Sequence, residues 1–111
     1  MEVPLTAAFG GVAWLPWLAL GHNSANPLLV LKGDELEYRL FARTRRPYSD
    51  VVSADYRHTL GTRNVILRFR GTSRTFTANV RDDAAVRATF AFLRDKGVPL
   101  TSRAEACLTV G

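Results

Sequence analysis

Residues 63–80 read RNVILRFRGTSRTFTANV, and this stretch decides the fold. Val65, Leu67 and Phe69 alternate with Ile66, Arg68 and Arg70, a period of two. That is the period of a strand, whose successive side chains point to opposite faces. Gly71-Thr72 interrupts the run with a turn signal. Alternation then resumes, with Phe76, Ala78 and Val80 set against Thr75, Thr77 and Asn79. Two strands joined by so short a link pair antiparallel. The stretch therefore predicts a hairpin with one apolar face, which needs a cover.

The cover follows directly in sequence. Asp82 and Asp83 are N-cap candidates, and Val86, Phe90 and Leu93 recur at helical spacing. Arg94 and Lys96 sit in the last turn, Gly97 is a C-cap signal and Pro99 stops continuation. A helix is expected over 82–96, with residues 101–111 as a loose tail.

In the other direction the chain reads as further strands. Tyr48–Thr59 carries Val51, Val52 and Tyr56. Arg43–Pro47 reads as a polar connection. Glu35–Ala42, ELEYRLFA, puts Leu36, Tyr38, Leu40 and Ala42 on one face and Glu35, Glu37 and Arg39 on the other. Leu28–Lys32 is a short apolar run ending at a Gly33-Asp34 turn. Asn26-Pro27 marks a boundary, because the residue before proline avoids helix. Five strands and one helix result: a mainly β, α+β chain, with an antiparallel curled sheet or partial barrel capped by a C-terminal helix.

Three stretches carry a resemblance: NPLLVLKGDELEYRLFA at 26–42, RPYSDVVSAD at 46–55 and DDAAVRATFAFLRDKGV at 82–98. In this order they resemble bacterial pleckstrin-homology-like (PH-like) domains of the membrane-tethered type. The resemblance implies a β-domain over 26–100 that works as an interaction module beside a membrane. A full barrel of that family has seven strands, two more than are read here. Its inositol-lipid binders carry several bases around the first hairpin. Here that turn is Lys32-Gly33-Asp34-Glu35, so inositol-lipid binding is not carried over.

Charge divides the 111 residues sharply. Between Glu2 and Lys32 there is no charged side chain, whereas residues 32–111 hold all fifteen bases and nine of the ten acids. Val3–Gly21, VPLTAAFGGVAWLPWLALG, would span about 28 Å as a helix at ~1.5 Å per residue, close to a ~30 Å hydrocarbon core. Residues 1–25 are therefore expected to form a hydrophobic segment with a transmembrane helix. Lys32 and Arg39 after it place the β-domain on the cytoplasmic side of the membrane. Pro16, Gly10 and Gly11 oppose a clean helix. The rival reading packs the segment onto the domain as extra core. A fragment lacking residues 1–22 should fold on the first reading and aggregate on the second.

Composition narrows the chemistry. One cysteine, Cys107, excludes an intramolecular disulfide and a Cys-based zinc site, and two histidines 36 positions apart disfavour a His-rich one. His58 with Asp55 and Asp50 lacks any nucleophile motif and reads as a strand histidine. Asp34, Glu35 and Glu37 lack calcium-loop spacing. No enzyme, cofactor or metal is expected. Thirteen of the fifteen bases are arginine. Arg43, Arg45 and Arg46 cluster in one loop, and Arg68, Arg70 and Arg74 flank the hairpin turn. These six are the candidate contacts to an anionic surface, against the plainer reading of a solvated face. The expected function is a non-enzymatic, membrane-tethered interaction or assembly module with an unidentified protein partner. The alternative is a soluble basic β-domain binding nucleic acid, disfavoured because exposed aromatics for base stacking are not evident.

Overall fold

A computed structural model describes residues 1–12, 28–39, 43–59 and 61–109. Within these, the strands are β1 (Leu5–Val12), β2 (Leu28–Leu31), β3 (Glu35–Arg39), β4 (Arg43–Pro47), β5 (Val51–Thr59), β6 (Thr62–Phe69) and β7 (Arg74–Val80). A 3-10 turn at Tyr48–Asp50 precedes β5. The helices are α1 (Asp83–Asp95) and α2 (Ser102–Thr109). Two antiparallel sheets result, ordered β1-β7-β6-β5 and β2-β3-β4. The chain is thus mainly β with helices, as its alternation predicts.

The expected β6–β7 hairpin forms, with Val65 opposite Ala78 and Leu67 opposite Phe76. Gly71 makes its turn at φ 80°, a conformation that a side chain resists. Val65, Leu67, Phe69, Phe76, Ala78 and Val80 share one core with Leu29, Leu31 and Leu36 of the smaller sheet. Tyr38 joins the layers, stacking on Phe69 at 5.2 Å and tilting against Phe76 at 4.8 Å. Helix α1 buries Val86, Thr89, Phe90 and Leu93 in that core. Asp82 caps it by accepting the Ala85 N–H at 2.8 Å, and Gly97 ends it at φ 83°.

Three expectations are corrected. The transmembrane helix is the first. Leu5–Val12 is a strand paired with β7, from Leu5–Val80 to Val12–Arg74. No described helix is long and apolar enough to cross a membrane. A charge-free run is compatible with a protein interior as well as with lipid, and a pairing partner 62 to 75 residues away is invisible to local length arguments. The remainder of that stretch, with Trp14, Pro16 and Trp17, lies outside the described residues. Val3 is 2% exposed in the core, its N–H bonds the Leu29 carbonyl at 2.8 Å, and Arg81 N–H bonds Pro4 O at 3.0 Å. The N-terminal residues therefore run from the smaller sheet, through a bridge between Glu2 and Val30, into the larger one.

Second, Arg43–Pro47 is strand β4, an edge strand without a large apolar side chain. Its conformation comes from pairing with β3 and from charges across the ladder. Leu40 and Ala42 lie outside the described residues. Third, the tail contains α2. Thr101 caps it by accepting the Ala104 N–H, Ala104 is buried, and Cys107 and Leu108 pack against the core from the same face.

On the face of the larger sheet turned from the core, Thr75 and Thr77 are buried, and neither hydroxyl has a hydrogen-bond partner among the described residues. A buried hydroxyl without a partner costs about 1–3 kcal/mol. Replacing Thr77 by isosteric valine should therefore stabilise the fold by about 1 kcal/mol, read as a higher melting temperature.

Candidate functional site

The six arginines separate into different surroundings. Arg43 and Arg45 project from β4 to Glu37 on β3. Glu37 Oε2 lies 3.2 Å from Arg43, and its Oε1 lies 3.5 Å from Arg45 and 3.1 Å from Lys32 Nζ. Glu37 is only 3% exposed, while all three cations remain well exposed. The basic side chains lie over the carboxylate on the outer sheet face, so the arrangement is a shielded surface cluster and not a core ion pair. The Lys32 hydrogen bond, followed by the charges of Lys32, Arg43 and Arg45, holds Glu37 below its ordinary range against the opposing effect of burial.

Arg46 and Arg70 meet at the 3-10 turn. Arg46 pairs with Asp50 at 3.7 Å and lies over the Phe69 ring at 4.7 Å. Arg70 donates to the Ser49 carbonyl at 3.3 Å. Arg68 and Arg74 are exposed on β6 and at the start of β7 and have no acidic partner among the described residues. Much of the basic surface read from sequence is thus already neutralised or tied to backbone. Tyr48, in the same turn, donates its hydroxyl to the Lys32 carbonyl. Burial, with Asp34 and Glu35 nearby, pushes that phenol up to about 12, so it stays a donor.

A different place is better formed. Strand β5 is an edge of the larger sheet. Ala54 N–H bonds Pro99 O at 2.9 Å, and Ala54 O accepts from Thr101 N–H at 3.0 Å, so the segment before α2 lies alongside the edge as a short parallel bridge. Asp55 secures this junction. It binds Arg103 at 2.6 Å and accepts from the Thr101 hydroxyl at 2.5 Å and from the Tyr56 N–H at 2.8 Å. Burial disfavours the charged form of Asp55, but the Arg103, Thr101 and Tyr56 hydrogen bonds together outweigh it and hold the carboxyl below its ordinary 3.8.

Beyond Ala54 the chain turns away into α2 and the edge opens. The gap is a groove of about 450 Å³ lined by Tyr56, Arg57, His58, Arg103, Ala106 and Cys107. Alternation along β5 turns the backbone groups of Tyr56 and His58 the same way as those of Ala54. Among the described residues, the Tyr56 carbonyl and both backbone groups of His58 have no partner. Burial, and then Asp83, push the Cys107 thiol up, and its Sγ lies 3.4 Å from the Arg103 carbonyl. It is a protonated wall of the groove and not a thiolate nucleophile. Sequence reasoning placed His58 and Cys107 in unrelated settings, because the groove joins positions nearly fifty residues apart. The one local signal was helical spacing of Ala104, Cys107 and Leu108 after Pro99.

No protein-family model matches the chain, and no curated protein matches it.

A carboxylate whose folded pKa is depressed contributes stability above its unfolded value and loses it as pH falls through the folded one. Asp55 and Glu37 both act in this acidic window. Asp55→Asn should cost about 1.5–3 kcal/mol at pH 7, towards the lower end because Arg103 is exposed. Melting curves across pH should show the gap between parent and variant closing below 3.8.

Proposed function

We propose that the chain is a non-enzymatic interaction or assembly module on a PH-like frame. Two antiparallel sheets of four and three strands, followed by a helix packed on their shared core, support the frame. The observation that carries the functional reading is the open part of the β5 edge beside α2. Strand backbone without a partner among the described residues, next to a groove, is a ready template for another polypeptide. The frame does not supply that function, which rests on the site.

Nucleic acid finds less support. The exposed large apolar side chains among the described residues are Met1 and Val52, neither of which offers a ring for base stacking.

Photo-crosslinking tests the reading. With p-benzoylphenylalanine at position 58 of the full chain in its native cells, nuclease-resistant protein adducts are expected. The same group at position 87, on the exposed side of α1, should give none. Adducts that vanish with nuclease would favour the nucleic-acid reading instead.

A further inference from the structure

We infer that the β5 edge takes an extended, acidic segment of a partner protein, added as a short strand next to Pro99–Thr101. This deepens the interaction reading above and rests on it. The edge already accepts a strand, since Ala54 exchanges hydrogen bonds with the chain's own Pro99 and Thr101. The chain then leaves that line at Ser102 to form α2. An incoming segment would continue on the vacated line, where the Tyr56 carbonyl and the His58 N–H and C=O have no partner among the described residues. Tyr56 N–H is held by Asp55, so the first new bond falls on the Tyr56 carbonyl.

Side chains supply the selectivity. Tyr56 and His58 occupy rows of the sheet with Val65 and with Arg63, on the side where α2 packs. One in every two side chains of the added strand would enter the groove between them and α2. Two arginines and a histidine are among the six lining residues, and no acid is. Asp55 is engaged by Arg103, which is itself 59% exposed and can meet a second carboxylate. An apolar residue against Tyr56, Ala106 and Cys107, flanked by Asp or Glu, fits this lining.

The test uses random ten-residue peptides displayed on phage and selected on the immobilised full chain. Amide-shift mapping then locates the selected peptides. Enrichment of Asp and Glu among β-forming residues is expected, with shifts confined to Tyr56–Thr59 and α2. Two variants probe the mode. His58→Pro removes the outward N–H at an edge position, where proline is tolerated. Ala106→Glu leaves the backbone intact and places bulk and negative charge in the groove wall. Each should weaken the selected peptides at least tenfold, and Ala106→Glu keeps the test decisive should His58→Pro fail to fold. Unchanged affinity in folded Ala106→Glu, or enrichment of basic peptides, overturns the inference. Peptides mapping to another face overturn strand addition at β5 but leave an interaction module standing. No selected peptide, together with no protein adduct at position 58, defeats both.

Discussion

A fragment beginning at residue 23 should be aggregated or molten on size-exclusion chromatography, without a cooperative melt. The cause is the loss of β1 and the residues before it. Seven register pairs join β1 to β7, and Val3 is a core side chain. Removing them turns β7 into an open edge, and an open edge over an uncovered core invites association between molecules. The bonds from Val3 to Leu29 and from Arg81 to Pro4 also disappear, so the two sheets lose the segment that passes between them. A monomeric fragment with an unchanged melt would show that the N-terminal strand is dispensable. This reverses the outcome expected from reading residues 3–21 as a membrane helix.

The second large effect is at Phe90. Its side chain is fully buried, and its ring meets Tyr56 edge-on at a centroid distance of 6.2 Å. Truncation to alanine removes that contact and leaves a cavity that close-packed neighbours fill only in part. The expected cost is about 3–5 kcal/mol, a large share of the ~5–15 kcal/mol that stabilises a small domain. Arg87→Ala, on the exposed side of the same helix, should change stability by less than about 0.5 kcal/mol. Urea titrations of the full chain measure both. Equal midpoints for Phe90→Ala and the parent would mean that the helix presents another face to the core. Because Tyr56 also lines the β5 groove, Phe90→Ala should disturb that edge as well.

The β6–β7 hairpin and α1 were legible because each obeys a local rule. A strand buried on one face alternates, and a helix buried on one stripe repeats at 3.6 residues, whatever lies on the other side of the core. Val65, Leu67, Phe69, Phe76, Val86, Phe90 and Leu93 announce their burial in this way, and the structure buries each of them. Strands β1 and β4 went unread for opposite reasons. Leu5–Val12 has too few polar residues to alternate, and Arg43–Pro47 has too few apolar ones. Each is a strand because β7 or β3 offers it a ladder, and a ladder is a property of two segments and not of one.

The candidate site follows the same division. Sequence alone determined that bases crowd 43–46 and 68–74 and that His58 and Cys107 exist. Tertiary structure decided that Glu37 draws Lys32, Arg43 and Arg45 together and that Asp55 fastens α2 through Thr101 and Arg103. It also decided that the chain leaves the β5 edge after Thr101, opening the groove between Tyr56, His58 and Cys107. Local periodicity records how much of a side chain is hidden. Which distant residue hides it, and which backbone edge is left unpaired, depends on packing across the whole chain.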